Sequence, residues 1–335
     1  MRQLATIQKI LEVQPIPNAD LIQKAKIKGW WCVVKKDQFK PDDLCIYHEI
    51  DSFLPLIPQY DFLAKGSSPK TMIIDGTDVK GYRLKTAVLR GQLSQGLALP
   101  VSDFPQITDP TEGMDVTDLL GIKLYEAPVP ACLAGDVKGT FPGFIPKTDE
   151  ERLQNLLPWL NDYRGQHFYA TVKIDGSSCT VYRYQDDFGV CSHNLNLKPT
   201  EKNTFWRIAN KYDLHIKLPE GYAIQAECAG EGIQDNRHKF KGQDLYVFYV
   251  YDINKGIYLE LEDMLTFCKD LGLKTVPVLE MDLVLDHTLE QLLALADGPL
   301  SNDLPREGLV FRLRGSGRKI SFKVISNAYL IKYGL

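Results

Sequence analysis

The stretch FYATVKIDGSSCTVYRY, residues 168–184, decides how this chain is read. Two alternating runs, Phe168–Ile174 and Thr180–Tyr184, flank Asp175-Gly176-Ser177-Ser178. A polar break containing glycine between two such runs predicts a β-hairpin. Period-two alternation puts Val172 and Ile174 on one face and Lys173 on the other. A lysine on the polar face of a hairpin is ordinarily just solvated, and a Lys-x-Asp-Gly string is too short to carry a function by itself. Its meaning depends on what the rest of the chain brings near it.

Downstream, strand and helix patterns mix, which predicts an α+β half. Leu245–Tyr251 is an unbroken apolar and aromatic run, as expected of a strand buried on both faces at the centre of a sheet. Leu261, Met264, Leu265, Cys268 and Leu271 follow helical spacing up to Gly272, a natural stop. Thr288 and Gln291 form a capping box opening a second helix that ends near Gly298.

Upstream, the pattern is short strands and turns. Runs at Leu4–Val13, Ala25–Val34, Leu44–His48 and Gly96–Pro100, broken by Asp, Pro and Gly, predict a small closed barrel over residues 1–125, and the OB fold is the common barrel of that size. Residues 126–150 concentrate proline and glycine and read as a linker to a second domain over 151–335.

The 335 residues suit two domains, and 44% hydrophobic with 24% charged residues is ordinary globular usage. No run approaches the roughly 18 apolar residues needed to cross a bilayer, and the N-terminus lacks a leader pattern, so a cytoplasmic or nuclear protein is expected. Seven cysteines without a CxxC pair, and six histidines without metal-ligand spacing, argue against a zinc site or a disulfide framework and for buried thiols. A net charge of −4 excludes a bulk polycation, so any nucleic acid must be gripped by a local patch. Lys24, Lys26, Lys28, Lys35, Lys36 and Lys40 around Trp30, Trp31 and Phe39, with Arg83, Lys85 and Arg90 as a second cluster, combine phosphate-binding charge with rings able to stack on bases. Adjacent strand residues point to opposite faces, so at least one of the two tryptophans is expected to be accessible.

Three further strands give Lys173 company. Tyr222–Glu227 places Gln225 and Glu227 on one face, Glu307 opens the strand Gly308–Phe311, and Ser321 and Lys323 share the polar face of Ile320–Val324. Carboxylates with two lysines suit a divalent cation and a triphosphate. Neither GxxxxGK[ST] nor GxGxxG is present, so side chains and metal would have to hold the phosphates. A lysine can also be a nucleophile once nearby positive charge and desolvation lower its pKa.

The order Lys173-Ile174-Asp175-Gly176, Ser192-His193-Asn194, Glu227, Val247–Asp252, Glu307-Gly308-Leu309-Val310 and Ser321-Phe322-Lys323 resembles motifs I, Ia, III, IIIa, IV and V of covalent nucleotidyltransferases. With Pro17-Asn18-Ala19-Asp20-Leu21, the run Gly81–Pro100 and the segment Phe144–Arg152, the chain resembles the ATP-dependent RNA ligases with an N-terminal OB domain, of the Naegleria and Deinococcus type. The resemblance implies an OB barrel followed by a ligase-type, ATP-grasp-like nucleotidyltransferase domain of antiparallel sheets and flanking helices. It implies that Lys173 takes AMP from ATP, that AMP passes to an RNA 5′-phosphate, and that a 3′-hydroxyl then displaces it, in the setting of RNA repair. Within it, Asp175, Glu227 and Glu307 arrange a hydrated Mg²⁺ or Mn²⁺, and Lys323 neutralises the α-phosphate. Phe248 stacks on adenine beside Val172, while Arg152 and Lys147 hold the outer phosphates. His193 stands where many relatives carry arginine, and Ser321 where many carry a further lysine. A DNA ligase, and a non-catalytic RNA-binding protein with a relic transferase half, remain the alternatives.

Overall fold

The structure, a computed structural model, describes residues 2–126, 136–301 and 304–335. Contacts divide the chain into one unit of Met1–Val129 with Leu330–Leu335 and another of Pro130–Tyr329.

In the first unit, Leu44–His48 pairs antiparallel with Ala5–Lys9 on one side and Leu97–Pro100 on the other. Glu12–Pro15, Ile22–Ile27 and Trp30–Lys35 form a meander, and Ser52–Pro55 and Thr77–Arg83 belong to a third sheet. The expected run Leu4–Val13 is two strands, interrupted at Ile10 and Leu11. Ala25–Val34 is also two, because Lys28 takes a left-handed conformation (φ 52°) and turns the chain into a hairpin. Trp30 is buried against Ile27, Cys32 and Phe39, so Phe39 is core and not a stacking ring. Trp31 faces outward, with Lys24 Nζ 4.5 Å and Lys26 Nζ 5.9 Å from its ring centroid.

The second unit contains two large sheets. One runs Glu151–Arg152, Ser321–Ile325, Gly308–Leu313, His167–Val172, Val278–Val284; the other is built around Ser177–Tyr184, Tyr222–Gly230 and Gln243–Asp252. Gln243–Asp252 is an interior strand but not the central one: it lies next to last in its sheet, paired with Tyr222–Gly230 on one edge and with the two-residue strands Ile257–Tyr258 and Lys274–Thr275 on the other. The helices Leu261–Asp270 and Leu289–Ala296 form as expected, the second with both hydrogen bonds of its capping box. The outer face of the large sheet (Val181, Ile224, Val247) packs on Trp206, Leu261 and Met264, and that of the smaller (Phe168, Leu309, Phe322) packs on Leu289 and Leu292.

Two expectations are corrected. Asp175-Gly176-Ser177-Ser178 is not a hairpin turn: the strand before it belongs to the smaller sheet and the strand after it to the larger. Gly176 makes this crossing possible, since a Cβ there would stand 2.3 Å from the Cys228 carbonyl oxygen. Nor are residues 136–150 a free tether. Val137–Thr140 pairs with Leu195–Leu197, and Ile145 is buried among Tyr182, Tyr249 and Tyr258. The rest of the expected linker, 127–135, lies outside the described residues, as does Cys132. The other six cysteines are unpaired and buried. No helix among the described residues is long and apolar enough to cross a membrane.

Candidate active site

The crossing at 173–178 carries the chain through a cleft between the two sheets. Because side chains alternate, the residues of the smaller sheet opposite its core face, Thr171, Lys173, Val310, Arg312 and Lys323, point into this cleft. From the larger sheet come Ser178, Glu227 and Phe248, and Thr148, Asp149 and Glu150 add a wall. The cavity they enclose is about 170 Å³.

Lys173 lines it. Nζ is 2.8 Å from Oε1 and 2.9 Å from Oε2 of Glu307, so the carboxylate grips the ammonium with both oxygens. Burial presses Lys173 to lose its proton, but Glu307, Glu227 and Asp175 outweigh it and hold the ammonium above its ordinary pKa. Glu227, half-buried beside two other carboxylates, is pushed up to about 7 by desolvation first, against the opposing pull of Lys173 and the Gly176 N–H. Lys323 is pushed down to about 8 by burial first, then by Lys173 and Arg152. Arg152 stands directly beside Lys323 in a parallel strand pair.

Val172, Lys173, Glu227, Phe248, Lys323 and His193 thus line one cavity, with Glu307 gripping Lys173. His193 is half-exposed, its Nε2 3.6 Å from Asp149 Oδ2. Lys147 is set apart from the cavity wall, its Nζ donating to Asn194 Oδ1 at 2.6 Å. Asp175 is likewise outside the wall, its Oδ2 accepting from Arg237 at 2.7 Å and from the Tyr329 hydroxyl at 2.9 Å. Among the described residues no three carboxylate, histidine or cysteine side chains are gathered as direct metal ligands. A hydrated ion, reached through its waters by Glu227, Glu307 and Asp175, fits this donor set, since Mg²⁺ keeps much of its water.

Two participants escape a motif-by-motif reading. Arg312, buried, donates to Thr171 Oγ1 at 2.6 Å and lies 4.5 Å from the Tyr249 ring centroid and 5.9 Å from that of Phe248. The alternation of Leu309-Val310-Phe311-Arg312 already places it on the face of Val310, away from Phe311. Lys319 donates to the carbonyls of Lys147 (3.3 Å) and Asp149 (2.5 Å), while Ser321 donates to Glu150, which also accepts from Tyr249 at 2.9 Å. Ser321 therefore fastens the 148–150 wall instead of facing a phosphate.

In the first unit, Lys35, Lys36, Lys85 and Arg90 are exposed. Arg83 is not available in the same way: it pairs with Asp51 at 2.6 Å and lies 4.8 Å from the Tyr125 ring centroid.

A lysine seated on a carboxylate in a cleft between two mostly antiparallel sheets, with a second lysine and an aromatic ring in the same cavity, is the construction of a covalent nucleotidyltransferase. Residues 166–325 match the model of the RNA ligase family, and residues 4–101 match a model described as an OB-fold domain. Over 99% of both chains the protein is similar to Naegleria gruberi RNA ligase with pyrophosphate, at 45% identity and a TM-score of 0.84. It is similar over the same shares to a lysine-to-methionine variant of that enzyme with AMP and Mn, at 46% identity and a TM-score of 0.84. A lysine-to-alanine variant with ATP and Mn matches at 45% identity over 99% of this chain and 98% of that one, with a TM-score of 0.82. No curated protein sequence matches. The chain belongs to the RNA ligase family, with an OB-fold domain ahead of its ligase domain. The DNA-ligase and relic readings find no support in these similarities.

Proposed function

We propose that the protein is an ATP-dependent RNA ligase acting through Lys173, and that it seals a 3′-hydroxyl to a 5′-phosphate end. The observation that carries this reading is the Lys173 ammonium held on Glu307 inside the cavity that Phe248 and Lys323 also line. Lys173 Nζ gives up a proton to solvent and attacks the α-phosphorus; an N–P bond forms as the bond to pyrophosphate breaks. A 5′-phosphate oxygen of the RNA then displaces the lysine, which takes up a proton again, and accepts the AMP; a 3′-hydroxyl oxygen, losing its proton to solvent, displaces AMP to form the phosphodiester. Glu307 orients the lysine and accepts from its N–H groups. Lys323 and Arg152 place positive charge at the phosphates, and Phe248, backed by Arg312, packs on adenine beside Val172. A divalent ion, Mg²⁺ or Mn²⁺, when bound supplies charge that offsets the carboxylates holding Lys173 protonated. His193 fits a hydrogen bond to nucleotide or end phosphate, and Lys147 would have to leave Asn194 to reach the outer phosphates.

In the first unit, Trp31 with Lys35, Lys36, Lys85 and Arg90 would grip RNA by stacking and charge. Six buried, unpaired thiols suit a reducing compartment, the cytoplasm or nucleus. Natural breaks with other termini would need end-healing enzymes first.

The test is intact-protein mass after incubation with ATP, GTP or NAD⁺ and a divalent metal. A gain of one AMP with ATP, mapped to Lys173, is expected; no gain on folded protein with any nucleotide would refute the reading.

A further inference from the structure

Asp175 is held from three sides by residues that no motif includes. Its Oδ2 accepts from Arg237 Nη1 at 2.7 Å and from the Tyr329 hydroxyl at 2.9 Å, and its backbone N–H donates to His238 Nε2 at 2.7 Å. Oδ1 accepts no hydrogen bond from the described residues. Arg237 and His238 come from the segment between Tyr222–Gly230 and Gln243–Asp252, and Tyr329 from the C-terminal helix Asn327–Tyr333. The segment is itself braced: Asn236 exchanges two hydrogen bonds with the backbone of Phe240, at 2.9 and 3.0 Å, and Arg237 also pairs with Asp235. His238 is buried, and its Nδ1 has no partner among the described residues, so its visible polar contact is the one to Asp175. A buried ring nitrogen left without a partner is costly, and a residue kept only for packing would be better served by an apolar ring. Phe240 and Tyr329 flank its ring at 5.3 and 6.3 Å.

We propose that Arg237, His238 and Tyr329 are positioning residues that fix the two oxygens of Asp175 in unlike roles. Oδ2 is tied to the protein, and Oδ1 is left to accept from water on the divalent ion. The bond that the Asp175 N–H donates to His238 sets the turn two residues after Lys173, so the same clamp fixes where the nucleophile stands relative to that ion. This rests on the proposed role of Asp175 at a hydrated metal.

The experiment titrates Mn²⁺ into the full-length protein with α,β-methylene ATP, reading free ion by its electron paramagnetic resonance signal. The thermal midpoint and the metal dependence of Lys173 adenylylation with ATP are measured alongside. Tyr329→Phe, which removes one oxygen and keeps the ring, is expected to weaken Mn²⁺ binding about five-fold and to shift the metal dependence of adenylylation by the same factor, with the rate at saturating metal nearly kept. In an Asp175→Ala background it is expected to have no further effect on Mn²⁺ binding, which a merely structural role would not produce. His238→Gln, whose side-chain oxygen can still accept from the Asp175 N–H, is expected to restore what His238→Leu loses. If Asp175→Ala weakens Mn²⁺ binding but Tyr329→Phe and His238→Leu do not, or if they lower only the thermal midpoint, the clamp is overturned while the ligase reading stands. If Asp175→Ala leaves Mn²⁺ binding untouched although Lys173 still takes AMP, the metal role of Asp175 fails and the clamp with it. If wild-type protein forms no adduct, the parent reading fails.

Discussion

The two units treat positive charge in opposite ways. In the first, Lys35, Lys36, Lys85 and Arg90 stand exposed at a strand end, in turns and in a loop. In the second, Lys173, Lys323, Arg237 and Arg312 are withdrawn from solvent, and Lys173, Arg237 and Arg312 meet a particular carboxylate, hydroxyl or ring. Exposed charges act by number and are screened by salt, whereas withdrawn ones act by placement and cannot be exchanged. Single losses should therefore be graded in the first unit and close to absolute in the second.

The largest effect expected is that of Lys173→Ala, which removes the AMP adduct entirely in intact-mass measurement while RNA affinity changes less than about two-fold. An adduct that persists would break the contrast outright. Next, Glu227→Gln should slow single-turnover adenylylation about 100-fold, the size of effect that loss of one preorganised electrostatic contact has in a closed site; a fall below about three-fold would move Glu227 out of the chemistry. In the first unit, Trp31→Ala should weaken single-stranded RNA binding about ten-fold through lost stacking. The Lys35→Ala/Lys36→Ala pair should weaken it less and lower the slope of log affinity against log salt by about 1.4. An unchanged slope would remove both lysines from the RNA surface.

The smallest effect expected concerns stability. Lys323 has a folded pKa of about 8, below the unfolded value of roughly 10.4, so between those values the unfolded chain binds the extra proton and stability rises with pH. Lys323→Met carries no such term. Its thermal midpoint should exceed that of the wild type near pH 7, and the gap should close as pH approaches 10. A gap independent of pH would show that Lys323 is not strained by burial in the charged form.

What was legible in the sequence follows the same division between local and distant causes. Strand parity put Lys173, Glu227 and Lys323 on cleft-facing sides, because alternation is a property of the strand itself. Parity would also have found Arg312, which lies within the same strand, Gly308–Leu313. The segment 175–178 reads as a hairpin turn because Asp-Gly-Ser-Ser looks the same whether the chain folds back on its own sheet or passes to another; the difference lies in Gly176 meeting the Cys228 carbonyl, half a hundred residues away. The clamp on Asp175 was invisible for the same reason, as Arg237 and Tyr329 reach it only through the fold. Arg83 reads as part of a basic cluster because charge is visible in a sequence and its ion pair with Asp51 is not. Residues 136–150 read as linker because proline and glycine mark any irregular backbone, packed or loose.

The buried thiols have a practical consequence for labelling chemistry. Burial pushes Cys45, Cys191, Cys228 and Cys268 up to about 12, and Cys32 and Cys179 upward as well, so at neutral pH none of these six offers appreciable thiolate to an alkylating reagent. With Cys132 replaced by serine, a cysteine introduced at the exposed Leu21, whose carbonyl accepts from the Lys36 N–H, would be the thiol a maleimide dye finds. A fluorophore so placed would report RNA arriving at the first unit while the lysine of the second is being charged, on one molecule and in one cuvette.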